Sequence, residues 1–275
     1  MFEDITKVIL FSDMDGTLLN SKKLISDTDR KAIEKFTSFG GKFTVATGRT
    51  IQTFARSQRL LNLKMPVIMY NGAMIYDYSA EKILYSQSLP KVSREMTAKI
   101  MSFMSDCGGE VLRTDGTYVF SNNEYEQLHT NLCGIEPEYM EIDEIPEGDW
   151  LKVLFALAPE RVSLLEDKIR RLEYYKYADF VRSADIFLEM LPKGISKGSA
   201  LNEYRKLDGM ADFTFVAIGD FDNDIEMIAN ADIGVCPANA EESVKNISDI
   251  VLDSTNDNGA VAELINYIID KTEGE

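Results

Sequence analysis

Histidine is nearly absent from this chain: His129 is the single one in 275 residues. Mechanisms that need two histidines are disfavoured with it, among them a zinc hydrolase site and a His-based triad with a further ligand. Cysteine is scarce as well. Cys107, Cys133 and Cys236 are odd in number and no two have metal-site or redox spacing, which predicts three reduced thiols in a cytoplasmic protein. No apolar run approaches a membrane span. Residues 1–13 hold only the short apolar stretch 8–11, so no signal peptide is expected. Positive charge is in deficit, with 29 Lys and Arg against 46 Asp and Glu and a formal net charge of −17. Such a surface repels nucleic acid and anionic membrane. It also means that any phosphate handled here needs a local positive site, built from a cation and a few placed Lys or Arg.

What is present is ordinary for a globular chain: 45% hydrophobic and 27% charged residues. The length suits one large domain or two modest ones, and only the polar tail 270–275 is a candidate for disorder. The run Val8-Ile9-Leu10-Phe11 reads as a buried strand. A helix follows at 26–39, with Ser26 as N-cap, Ala32, Ile33, Phe36 and Phe39 as its apolar face and Gly40-Gly41 as its stop. Then come a strand at 42–46, a helix to about Leu61 and a strand at 66–70. This βαβαβ rhythm predicts a parallel sheet with right-handed crossovers. It returns after Lys197: helix 197–207, strand 213–218, helix 222–229, short strands at 233–235 and 250–252, and a closing helix at 259–269. The middle has another texture, with strand-like pieces at 118–120, 152–156 and 187–190 and helical ones at 93–104 and 159–172. The expected fold class is α/β, a parallel-sheet core made of 1–82 and 188–275 with an α+β domain, 83–187, inserted as a cap. Glu124–Glu126 and His129 read as a solvated loop of that insertion, and the Tyr174-Tyr175-Lys176-Tyr177 cluster as its core or an interface.

In open parallel sheets, ligands bind beyond the carboxyl ends of the strands. There the first strand meets Asp13-Met14-Asp15-Gly16-Thr17. Two carboxylates two residues apart on an extended strand point the same way and call for a cation. Mg²⁺ suits an oxygen-only site. The strand ending at Ile218 runs into Gly219-Asp220-Phe221-Asp222-Asn223-Asp224, which brings more carboxylates. Thr47-Gly48-Arg49 and Lys197-Gly198 each read as opening a helix, where N–H groups and a placed ammonium suit an anion. Lys193 competes with Lys197 for that role, Arg49 is equally suited to a surface ion pair, and Asn71 is equally suited to a plain turn.

In order along the chain, these four motifs resemble those of haloacid dehalogenase superfamily phosphatases. Tyr70-Asn71-Gly72-Ala73 and the long insertion resemble the Cof-type branch. The resemblance spans essentially the whole chain. It implies a Rossmannoid core and cap, with Asp13 as nucleophile forming an aspartyl-phosphate and Asp15 as general acid and base. It further implies Mg²⁺ on Asp13, Asp220 and the backbone carbonyl of Asp15. Phosphate would be held by the Met14 backbone, Thr47, Gly48, Lys197 and Asn223, with Asp224, Arg49 and Asn71 in support. One departure concerns Pro237-Ala238 before Asn239, where the family has a tighter turn of small residues. The implied activity is hydrolysis of a small phosphate monoester, a sugar phosphate or a phosphorylated cofactor. A phosphomutase of the same superfamily and a catalytically silent binding protein are the alternatives. Oligomeric state is not legible.

Overall fold

The structure, a computed structural model, describes residues 4–273, the side chains of Arg56 and Glu273 excepted. The elements begin with β1 (Val8–Ser12), α1 (Asp27–Ser38), β2 (Lys42–Val45), α2 (Ile51–Leu61), β3 (Val67–Met69), β4 (Met74–Asp77) and β5 (Lys82–Ser86). They continue with α3 (Val92–Phe103), β6 (Gly108–Leu112), β7 (Thr117–Ser121), α4 (Glu124–Cys133), β8 (Glu138–Tyr139), β9 (Lys152–Ala156), α5 (Pro159–Arg171), β10 (Ala178–Ala184) and β11 (Phe187–Pro192). The last are α6 (Lys197–Arg205), β12 (Thr214–Ile218), α7 (Ile225–Asn230), β13 (Ile233–Cys236), α8 (Glu242–Lys245), β14 (Ile250–Val251) and α9 (Ala260–Glu273). Thus 270–273 close a helix, while Gly274 and Glu275 lie outside the described residues. No helix among the described residues is long and apolar enough to cross a membrane.

One sheet is wholly parallel, in the order β14-β13-β12-β1-β2. Its central strand explains the first apolar run. Val8 and Leu10 face a layer that includes Ala32, Ile33 and Phe36 of α1 and Leu264 and Ile268 of α9. Ile9 and Phe11 face Leu201 and Tyr204 of α6 and Met227 of α7. A strand covered by helices on both sides must be apolar at every position. Each such side chain contributes about 1.5–3 kcal/mol of burial. Ser26 caps α1, its hydroxyl accepting from the Asp29 N–H.

β3 departs from the expected third parallel strand. It meets the parallel sheet through a single bridge, Ala46 to Ile68, and pairs antiparallel with β4 in the sheet β3-β4-β5. The cause is the turn after it: Tyr70 and Asn71 both take a left-handed φ of 52° and reverse the chain.

The remaining sheet has the order β10-β11-β9-β6-β7-β8, antiparallel except for β7 with β8. Residues 83–86 pair in the hairpin sheet and 188–192 in this six-stranded one, so the sheets change over a few residues beyond 83 and 187. Alternation sorts its side chains. Val111, Val153, Phe155, Leu188 and Met190 pack with residues of α3 and α5 such as Ile100 and Leu165. Glu110, Leu112, Lys152, Leu154 and Glu189 occupy the alternate positions, and Leu112, Lys152, Leu154 and Glu189 line a cleft shared with the parallel core. Tyr174 and Tyr175 pack against the apolar side, as a core reading of that cluster expects, whereas Tyr177 is exposed.

The stretch read as a solvated loop is instead α4, capped by Asn123. Glu126 has no exposed surface. An acid at an inward position breaks the apolar periodicity by which a buried helix face is recognised in sequence.

Candidate active site

β1 ends at Ser12, and its backbone hands Asp13 directly to the neighbouring strand: the Asp13 N–H donates to the Ile218 carbonyl at 2.9 Å. β12 ends at Ile218, so the loops carrying Asp13 and Asp220 leave adjacent strand ends. Asp13, Asp220 and Asp224 are all buried, and one carboxylate oxygen of each lies within 4.8 Å of the others. Lys197, completely buried at the first position of α6, donates to Asp13 at 2.5 Å and to Asp224 at 2.6 Å. Ser196 is the N-cap of that helix. Lys193, the competing lysine, pairs instead with Asp179.

The electrostatics follow from this crowding. Burial, helped by the charges of Asp224 and Asp15, raises the Asp13 carboxyl to about 7 against the attraction of Lys197. Burial together with Asp13 and Asp224 raises Asp220 to about 8. Three acids and one ammonium leave an excess of two negative charges when all are ionised. The donor set is oxygen only, and a divalent cation would relieve the repulsion. The residues present therefore fit Mg²⁺.

The loop architecture serves this cluster. Thr17 Oγ1 donates to Asp220 at 2.5 Å. Gly16 has φ +96°, and a Cβ there would collide with the Asp220 carboxylate, so only glycine fits. Asn239, left without a role by the Pro237-Ala238 departure, donates to the Gly16 carbonyl at 2.8 Å and accepts from the Asn256 N–H at 2.9 Å. Asp224 is spread over several tasks: beside Lys197, it accepts from the Asp220 and Phe221 N–H groups at 3.1 and 3.3 Å.

Asp15 sits apart from the buried cluster. The turn begins at Met14, whose side chain enters the core, so the strand alternation expected to align Asp13 with Asp15 stops short of Asp15. Its half-exposed carboxylate is gripped by Arg49, through Nε and Nη2 at 3.1 Å each, and by Lys23 at 2.9 Å. Partial burial raises this carboxyl, but the charges of Arg49 and Lys23 outweigh it and bring it down to about 2. Lys23 was not singled out in sequence; it lies in a polar loop with a left-handed φ of 59°, which carries no recognisable pattern.

Thr47 is buried where its N–H reaches the Ile68 carbonyl at 2.9 Å, and its hydroxyl accepts from the Arg49 N–H at 3.2 Å. It does not open α2. Thr50 is the N-cap, in a reciprocal capping box with Thr53, because the chain needs three further residues to turn from β2 into the helix. Lys197 does open its helix, as expected.

Asn71, beyond a plain turn residue, links both halves of the molecule. Its Nδ2 donates to Glu189 at 2.5 Å and its Oδ1 accepts from Asn223 at 3.1 Å. Glu189 also accepts from Lys152 at 2.9 Å and Ser183 at 2.6 Å, and Lys152 donates to the Gly48 carbonyl at 2.9 Å. Lys152, Ser183 and Glu189, on the six-stranded sheet, were missed in sequence. Above this polar floor the cleft is walled by Leu112, Leu132, Ile135, Leu154 and Phe187.

A family model described as haloacid dehalogenase-like hydrolase matches residues 10–265. The 5-amino-6-(5-phospho-D-ribitylamino)uracil phosphatase of Bacillus subtilis is 27% identical, over 97% of this chain and 98% of its own. The pyridoxal phosphate phosphatase of Escherichia coli is 25% identical, over 95% and 98%. A solved haloacid dehalogenase-like hydrolase from Bacteroides thetaiotaomicron has a TM-score of 0.81 at 25% identity, covering 95% of this chain and 99% of that one.

Proposed function

This chain belongs to the haloacid dehalogenase-like hydrolases, and on that premise we propose that it is a Mg²⁺-dependent phosphatase of small phosphate monoesters, working through a phosphoryl group on Asp13. The observation that carries the reading is the buried Asp13 carboxylate, held by Lys197 beside two further acids at adjacent strand ends. The Asp13 and Asp220 carboxylates and the Asp15 carbonyl would hold the ion, which when bound supplies charge neutralisation for the phosphate and keeps Asp13 ionised.

Asp13 attacks phosphorus, forming the Asp13 O–P bond as the P–O bond to the alcohol breaks. The leaving oxygen takes a proton from Asp15. Asp15 then takes a proton from water as that water attacks phosphorus, which frees Asp13 and releases phosphate. Lys197 offsets charge on the transferring group, and Thr47, Gly48, Asn223 and the Met14 backbone orient its oxygens.

Asp15 as held by Arg49 and Lys23 is an ionised base, not an acid. Both cations line the cleft, so an arriving phosphate competes for them. Once they turn to phosphate, burial and the phosphate's own negative charge raise the Asp15 carboxyl, which can then carry the proton. The six-stranded sheet and its helices act as a cap whose movement admits substrate and excludes water. The apolar cleft wall favours an ester with a flat, poorly hydrated ring over a plain sugar phosphate.

The test is release of inorganic phosphate from a panel of phosphorylated cofactors and sugar phosphates, with Mg²⁺ and with excess chelator. The reading requires turnover with Mg²⁺ and none with chelator. Isomerised product without free phosphate would make the enzyme a mutase.

A further inference from the structure

A second group of ionisable side chains lies on the other side of the cleft, and the phosphatase chemistry uses none of them. Glu110 on β6 and Glu126 and His129 on α4 each present one ligand atom, and these atoms lie within 4.8 Å of one another. Both glutamates have no exposed surface, and the imidazole is 15% exposed. Among the described residues, neither carboxylate oxygen of Glu126 has a hydrogen-bond partner. Its polar companions are the Glu110 carboxylate and the imidazole, whose Nδ1 lies 3.1 Å from Glu110 Oε1. Burial and the neighbouring Glu110 raise the Glu126 carboxyl to about 9, and Glu110, against burial, holds the imidazole well above its ordinary value, so without an ion the group keeps protons that a dication would displace.

The fold holds the group rigidly. A Cβ on Gly108 would strike the Cβ of Glu126, so α4 lies directly on β6 at this point. The His129 ring is fixed edge-on to Phe187, with centroids 5.1 Å apart. Cys133, one turn further along α4, lines the same cleft.

We propose that Glu110, Glu126 and His129 form a second metal site, in the cap and separate from the Asp13 cluster, that takes a first-row transition dication such as Zn²⁺. Once its protons are displaced, the group of two carboxylates and a neutral imidazole carries two negative charges, which one dication neutralises. The imidazole nitrogen sets the preference. Mg²⁺ favours all-oxygen sites with several waters retained, whereas nitrogen-containing sets favour Zn²⁺ and its neighbours. Three protein ligands are the number at which zinc keeps a further position open, and His129 borders the cleft that the substrate enters.

Because His129 is the only histidine in the sequence, its imidazole resonances report on this site alone. The experiment is an NMR titration of untagged protein with Zn²⁺ in excess Mg²⁺, following the imidazole nitrogens. The imidazole is expected to move to a new position, complete at one added equivalent for this site, and to do the same in Asp220→Asn, where the other centre is damaged. In Glu126→Gln, the same change should need at least about tenfold more Zn²⁺. An imidazole in the wild-type protein that Zn²⁺ leaves unmoved at about tenfold excess, while acid and base move it, would mean that the glutamates share a proton instead, and would overturn the site. Since the readout is not turnover, this outcome is independent of whether the phosphatase reading holds.

Discussion

Asp13 and Asp15 stand two residues apart, and their surroundings give them different work. Asp13 is buried against Lys197, whereas Asp15 is half-exposed between Arg49 and Lys23. Asp13→Asn should leave essentially no turnover, because no other oxygen takes its place. Asp15→Asn keeps the backbone carbonyl, and its loss should be about 10²–10⁴-fold on an alkyl phosphate. On an aryl phosphate, whose leaving group needs little protonation, the loss in the first-turnover rate of alcohol release should shrink. First-turnover rates of both variants on both substrates check this, and equal impairment of that step in Asp15→Asn on the two would remove its acid role. A second expectation concerns pH. In the cation-free protein, Asp13 and Asp220 titrate near 7 and 8, well above an ordinary carboxyl. Mg²⁺ must then displace protons, so its affinity is weak at low pH and rises as pH passes through that window. Each displaced proton is worth up to about tenfold per pH unit. Calorimetric Mg²⁺ titrations at about pH 6 and about pH 8 should differ at least about tenfold in dissociation constant, and identical values would mean that these acids do not bind the ion.

At the scale of elements, the buried pair Lys152–Glu189 fastens β9 and β11 to the core loops at Gly48 and Asn71. Lys152→Met removes the countercharge and leaves Glu189 buried, which should cost about 3–5 kcal/mol. Combining it with Glu189→Met should recover much of that loss in denaturant unfolding, because the uncompensated charge is gone. A Gly72→Ala change is expected to cost about 1–3 kcal/mol, since Gly72 holds φ +103° and a Cβ there would meet the Ser196 carbonyl. The core elements were legible in the sequence because a doubly covered strand such as β1 is apolar throughout and helix stops such as Gly40-Gly41 are local. The cap was less so. Lys152-Val153-Leu154-Phe155-Ala156 reads as a strand and is β9, but its sequence does not show which face is buried against the helices, because Leu154 and Ala156 are apolar yet share the side of Lys152. β6 hides behind its two glycines, and β10 carries three polar residues among seven. Likewise the catalytic motifs are read from local spacing, whereas Glu189 meets Asn71 across 118 positions, which no window on the sequence spans.

For the whole molecule, two sheets of different construction share one cleft, the loops of the parallel one supplying Asp13, Asp15 and Arg49 with Lys197 buried behind Asp13, the antiparallel one supplying an apolar wall and the Lys152–Glu189 pair. A net charge of −17 makes the surface unwelcoming to phosphate esters. Capture must therefore rest on the cations gathered in the cleft, Lys23 and Arg49 at its rim and Lys152 on the cap side. The proposed route takes the phosphoryl group through Asp13. The direct measurement is rapid acid quench of Asp15→Asn during turnover of an aryl phosphate, followed by peptide mapping by mass spectrometry. With general-base help for the attacking water removed, the acyl-phosphate should accumulate. One phosphoryl group is expected on Asp13, formed at the rate of aryl alcohol release. Phosphate released with Asp13 never modified, or the label found on another residue, would contradict it.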